Sequence, residues 1–212
     1  MTIISFAYKL ADEVIFMNYK DYQQARDAAW RILIDCQVHE LPINLNVICA
    51  HLGIRVFSYG AGKSVIDRHR LGSLTMKTDG FLLHLYEKPI VFFDEHCSPQ
   101  RIRFTIAHEI GHLILGHIRA GQVTTINREP APGDSQQETA ANQFAARLLA
   151  PACVLWGMDV HTTDDIAQLC NISHAAAAFR AERMRILYAR QKFLASPLER
   201  KVYDQFKGFM GV

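Results

Sequence analysis

His108 and His112 stand four residues apart in the string His108-Glu109-Ile110-Gly111-His112. On a helix that step puts two side chains one turn apart on the same face. Two imidazoles so placed can each give a ring nitrogen to one divalent cation. Glu109 is rotated about 100° from His108, so its carboxylate can address a water on the cation without becoming a ligand. Gly111 removes bulk beside that face. The chemistry on offer is hydrolysis. Zinc lowers the pKa of its water toward ~7, Glu109 takes the proton, and a polarised peptide carbonyl is attacked. An H-E-x-x-H string also arises by chance, and two helical histidines can be ordinary polar residues. The setting favours the metal, because three such groups in a strongly apolar helix are costly to bury without partners.

A catalytic zinc takes three protein ligands and keeps a fourth position open. His117, five residues after His112, is turned away from the ligand face. Leu115 and Ile118 fill the glycine and last-histidine positions of the longer H-E-x-x-H-x-x-G-x-x-H pattern, so that pattern fails. Downstream carboxylates are Glu129 and Asp134, in a Pro/Gly-rich stretch, and Glu138. Glu138 opens an apolar helix with Ala141, Phe144, Ala145, Leu148 and Leu149 inward and Pro151 as its stop. It is the expected third ligand. The competing reading makes Ser135-Gln-Gln-Glu138 a capping box. Asn142, one turn on, is placed to orient a ligand from outside, through a ring nitrogen or the carboxylate. His117, His161 and Tyr86 are candidate donors to the tetrahedral intermediate, and spacing does not choose among them.

The elements that must carry these groups follow. Ser98-Pro99 is a helix start, and Ile102, Ile106, Ile110, Leu113 and Ile114 recur at helical steps, which predicts one buried helix over 99–117. Residues 20–37 place Tyr22, Ala25, Ala29, Ile32, Leu33 and Cys36 on one face of another. After Pro42, Asn44 or Asn46 caps a short helix ending at Gly53. Ile54–Tyr59 alternates as a strand, and residues 60–70 read as a loop. Leu71–Met76, Phe81–Tyr86 and Ile90–Phe93 read as further strands, the first two joined by a hairpin at Asp79-Gly80. The expected fold is α+β: a small, mostly antiparallel sheet of three or four strands on a zincin-like helical core. An edge strand could take substrate by strand addition.

Arg101-Ile-Arg-Phe-Thr-Ile-Ala-His-Glu-Ile-Gly-His-Leu-Ile-Leu-Gly-His117, followed by Glu138-Thr-Ala-Ala-Asn-Gln-Phe-Ala-Ala-Arg-Leu-Leu-Ala-Pro151, resembles the ImmA/IrrE family of zinc metallopeptidases. Leu41-Pro-Ile43 through Leu52-Gly-Ile54 also fits, so the likeness covers roughly residues 20–190. Members often carry a second acidic residue two positions into the ligand helix. Ala140 stands there, leaving Glu138 as the available carboxylate. The resemblance implies a gluzincin-like endopeptidase, often borne by phages or mobile elements, that cleaves a cognate helix-turn-helix repressor and so regulates transcription. One rival is a DNA- or repressor-binding module with a structural or vestigial metal site. Another is a sensor that binds a small ligand at the metal without hydrolysis.

The domains expected are an N-terminal extension over 1–19, a metallopeptidase domain over 20–158 and a helical region over 159–212. The extension is suggested by Met17, which directly precedes the first helical pattern. In the last region Asp164–Arg180 reads as a short helix, a turn at Asn171 and a longer helix capped by Ser173, a helix-turn-helix-like shape. Residues 171–212 hold eight Lys/Arg against three Asp/Glu, which leaves the rest of the +2 chain near −3. Yet the would-be recognition helix opens with His174 and four alanines, poor material for reading bases. Packing on the catalytic domain is the favoured role, without direct DNA binding. The tail after Pro197 is weakly patterned. With 50% apolar and 21% charged residues, the 212-residue chain is neither disordered nor fibrous. The uncharged run Leu148–Met158 is far short of the ~18 residues of a membrane span. The start carries no secretory cleavage pattern. Five scattered cysteines without a C-x-x-C pair fit a reducing cytoplasm.

Overall fold

The computed structural model of the chain describes residues 19–85, 88–124 and 136–212. Residues 1–18 of the expected extension lie outside the described residues, as do Tyr86, Glu129, Asp134 and Ser135. The architecture is α+β, with a three-stranded sheet among many helices. The described residues form two compact units, one within Asn44–Ala141 and one within Met1–Ile43 and Asn142–Val212.

The first unit begins with α2 (Leu45–His51), whose cap Asn44 accepts the Asn46 N–H at 3.0 Å. Gly53, at φ 66°, ends it as a helix C-terminal glycine should. Strand β1 (Arg55–Ser58) lies parallel to β3 (Lys88–Phe93), with Arg55 opposite Ile90. Strand β2 (Gly80–Leu85) runs antiparallel to β3 with Gly80 opposite Phe93. The order β1-β3-β2 puts β3 at the centre of a mixed sheet. Parallel neighbours need a crossover, which α3 (Lys63–Arg68), α4 (Gly72–Thr75) and β2 supply between β1 and β3.

Here the expected strand at Leu71–Met76 is corrected to a helical turn, and the expected loop at 60–70 holds α3. Leu71 and Leu74 are three apart, the spacing of one helical face. With Ile66 and Val65 they pack on the sheet face made by Phe81, Leu83, Ile90 and Phe92. Met76, which completed the apparent alternation, is 74% exposed. Asp79-Gly80 therefore turns no hairpin. A Cβ on Gly80 would stand 2.3 Å from Thr105 Cγ2 and 2.6 Å from the Phe92 carbonyl oxygen. That glycine lets helix α5 (Pro99–Ile114) lie close on the opposite face of the sheet. An ion pair from Arg101 Nε to Asp79 Oδ2 at 2.6 Å ties the helix to the start of β2. Ser98 Oγ caps α5 by accepting the Arg101 N–H at 3.3 Å. The helix stops at Ile114 rather than at 117, because Gly116 at φ 73° turns the chain back.

In the second unit α1 (Tyr19–Asp35) buries Ala25, Ala29, Ile32 and Leu33, the face read from its periodicity. Helix α6 (Gln136–Leu149) opens in the first unit and ends in this one before Pro151, followed by α7 (Ala152–Gly157). Next, α8 (Thr163–Cys170) ends at Asn171, at φ 49°, and α9 (His174–Ala189) is capped by Ser173. That is the helix-turn-helix order anticipated. The tail is more regular than its pattern suggested. Ser196-Pro197 opens α10 (Pro197–Met210) by the same device as Ser98-Pro99. Val202 and Phe206, one turn apart, are fully buried as α10 packs on α1 and α7. Gln205 Nε2 donates to the Leu33 carbonyl at 2.8 Å. Phe206→Ala should therefore lower the unfolding free energy by about 3–5 kcal/mol. A denaturant titration showing a change under ~0.5 kcal/mol, the usual effect of a surface change, would return the tail to a loosely attached segment. Among the described residues no helix is long and apolar enough to cross a membrane.

Candidate metal centre

Helix α5 is buried without interruption from Ala107 to His112, so its polar groups there must be satisfied by one another or by a ligand. His108 and His112 are 0% and 2% exposed, and their Nε2 atoms face each other at 2.8 Å. The first turn of α6 brings Glu138 to both. Its Oε2 is 3.2 Å from His108 Nε2 and its Oε1 is 3.2 Å from His112 Nε2. The three side chains singled out by spacing thus converge, all within the first unit. Burial works against an ionised Glu138, but hydrogen bonds from both imidazoles hold its carboxyl down at about 2. Among the described residues no fourth His, Cys, Asp or Glu joins this group. Two imidazole nitrogens and one carboxylate are a donor set that suits a divalent first-row metal and leaves a coordination position free.

Glu109 is fully buried one residue from the first imidazole. Burial raises its carboxyl above the usual range, with the nearby histidines pulling the other way. Its Oε2 accepts a short hydrogen bond from Thr124 Oγ1. Thr124 Oγ1 in turn accepts the Leu82 N–H at 3.0 Å, so the hydroxyl proton is committed to the carboxylate. Oε1 is buried and has no hydrogen-bond partner. One oxygen is therefore anchored to the sheet, and the other is left for a proton.

Sequence reasoning missed Thr124. It sits on a segment that runs along the outer edge of β2: Thr124 N–H donates to the Leu82 carbonyl at 2.9 Å, and His84 N–H to the Gln122 carbonyl at 3.0 Å. Its trace in the sequence is the β-branched run Val123-Thr-Thr-Ile126, which reads as strand. The same segment fills the β2 edge from Leu82 to His84, which strand addition by substrate would have needed. Thr124→Val should keep fold and metal but cost a charge-assisted bond, roughly 1.5–3 kcal/mol or about a 10–100-fold loss of peptidase rate. Thr124→Ser should recover most of it. A Val variant as fast as the parent would remove Thr124 from the mechanism.

His117 lies behind His112, on the side away from the ligand nitrogens. Its Nδ1 is 3.2 Å from His112 Nδ1, and the rings meet edge to face. A ligand Nε2 requires the proton on Nδ1, and His117 is the group in place to accept it. Burial, then the neighbouring His112, push the His117 imidazole down to about 4, so it is neutral at physiological pH. It packs on His112 and does not join the three converging donors. Gly116 is the signal for this, since the turn it makes brings His117 back. His161 belongs to the second unit, where its Nε2 pairs with Asp159 at 2.8 Å. Asn142 follows Glu138 by one turn on α6 and is half-buried.

No curated protein matches the chain. The Peptidase M78 family, described as the IrrE N-terminal-like domain, matches residues 49–182. That stretch is more than half of the chain and contains both imidazoles, Glu109, Thr124 and Glu138. A cluster of two histidines and a carboxylate, with a buried glutamate beside it, is what a metallopeptidase of that kind requires, and the chain belongs to this ImmA/IrrE-type family.

Proposed function

We propose that the chain is a zinc-dependent endopeptidase of the gluzincin type. His108, His112 and Glu138 hold the metal, and the substrate is a helix-turn-helix repressor whose cleavage relieves repression. The observation that supports this most is Glu109: a buried carboxylate with one oxygen fixed by Thr124 and the other unpartnered, beside three converging donors. A purely structural site has no use for it. Zinc bound there would supply Lewis acidity, polarising the scissile carbonyl and acidifying a water. Glu109 takes the proton of the attacking water on Oε1 and returns it to the leaving amine. Its raised proton affinity serves both halves, because a base that must later act as an acid works best near neutrality. Thr124 keeps the carboxylate from rotating, and His117 keeps His112 in the tautomer that presents Nε2. Asn142 orients a ligand from outside.

The setting proposed is the cytoplasm, often of a cell carrying a phage or mobile element. All five cysteines are free, in keeping with a reducing compartment. The test is incubation of the zinc-loaded and the chelator-treated protein with the repressor encoded beside its gene. Cleavage at a defined bond in the loaded sample alone is expected. Equal cleavage after the metal has been removed would overturn the reading.

A further inference from the structure

Among its described residues, the second unit buries arginines that no carboxylate pairs. Tyr22 of α1, Arg147 of α6 and Arg183 of α9 meet there, and Arg180, one turn before Arg183, lies close enough for its charge to act on Tyr22 and Arg147. Arg147 Nη2 donates to the Tyr22 hydroxyl oxygen at 2.8 Å. The Arg147 and Arg183 guanidinium carbons lie 4.7 and 5.3 Å from the centre of the Tyr22 ring. Arg147 is 9% exposed and Arg180 6%. The Nε atoms of Arg180 and Arg183 are buried and have no hydrogen-bond partner.

Three acids among the described residues of this unit have hydrogen-bonded partners of their own, although the charge of Arg180 also reaches Glu199. Asp27 is held by Arg26 at 2.7 Å and Glu182 by Arg185 at 2.6 Å. Glu199 Oε2 accepts the Ala195 N–H at 2.9 Å, and burial raises its carboxyl. Among the described residues no ion pair joins Arg147, Arg180 or Arg183 to a carboxylate. A guanidinium removed from water, as those of Arg147 and Arg180 are, costs several kcal/mol unless paired, and the half-buried Arg183 adds its repulsion to both. Cation–π contact with one ring offsets only part of that. Burial, then Arg147, bring Arg180 down to about 10, so it stays charged at neutral pH. Against its burial, Arg147 foremost among the cations brings the Tyr22 phenol down to about 8.

We propose that Tyr22, Arg147, Arg180 and Arg183 form a binding site for a tetrahedral oxyanion of the phosphate class. A dianion would take the two unpartnered Nε–H donors and the hydroxyl proton of Tyr22, whose own oxygen is occupied by Arg147. Planar guanidinium forks suit such oxygens. The ligand is either free phosphate or a phosphate monoester.

The test is thermal unfolding of the full chain in inorganic phosphate or in adenosine monophosphate, against sodium chloride at matched ionic strength. A saturable rise in Tm is expected, about 5–10 °C when the ligand is a hundredfold above its Kd. A rise with phosphate identifies the free anion, and a rise with the monophosphate alone identifies an esterified one. Arg183→Gln and Tyr22→Phe should abolish the rise, whereas the exposed control Arg185→Gln should keep it. No rise beyond that of chloride overturns the proposal, as does a full rise in a folded Arg183→Gln variant. Should the variants fail to fold, calorimetric titration of the parent with both anions decides, and no saturable heat overturns the proposal.

Discussion

Glu109→Gln should leave a protein that folds, binds zinc as tightly as the parent and has lost about 10²–10⁴-fold of its peptidase rate, the span that one general base contributes. The argument is geometric. Glu109 stands outside the three converging ligand atoms, so metal stoichiometry should not move. Glutamine has the same shape, and its carbonyl oxygen can still accept the Thr124 hydroxyl. What it cannot do is hold a proton. Stability should be unchanged or slightly higher, since the group lost is a fully buried carboxylate whose ionisation burial disfavours. Parallel measurements of bound zinc, Tm and repressor cleavage separate the cases. A variant that cleaves like the parent puts the base elsewhere, and one that loses zinc makes Glu109 a ligand.

The part of this site that was legible in the sequence is the part built from one helix. His108, Glu109 and His112 are fixed relative to one another by helical geometry alone, and Ser98-Pro99 announces where that helix begins. Glu138 was reachable because few carboxylates follow and because it opens an apolar helix. Thr124 was not reachable. Its role arises from a segment pairing with β2 across more than forty residues of chain, and hydrogen bonds of that kind leave no local period. His117 was judged from ideal helical spacing, which ceases to apply at Gly116. The strand expected at 71–76 failed for a related reason: a four-residue turn is too short for period 2 and period 3.6 to be told apart. In α10, five charged residues dilute an apolar stripe that is only two fully buried side chains deep, and packing on α1 and α7 makes up the difference. The arginine cluster escaped because its three cations are divided between α6 and α9, with Tyr22 on α1, and each arginine alone reads as an ordinary surface cation.

Glu138→Ala is the substitution that bears most directly on the ligand set. It removes the one donor that comes from outside α5, leaving two imidazoles, which is fewer than a catalytic zinc normally keeps. The zinc dissociation constant should rise by more than the ~10–100-fold that loss of an outer-shell partner costs. Asn142→Ala, which removes only such a partner, should stay within that range, and the contrast between the two assigns their roles. The metal-dependent part of Tm should shrink with the affinity, since stabilisation by a ligand follows its occupancy. In the metal-free protein the same change strips His108 and His112 of the carboxylate that bridges them at 3.2 Å on each side. Titration against a chromophoric chelator gives both affinities directly. If Glu138→Ala binds zinc as tightly as the parent, its carboxylate caps α6 and the third ligand comes from another residue.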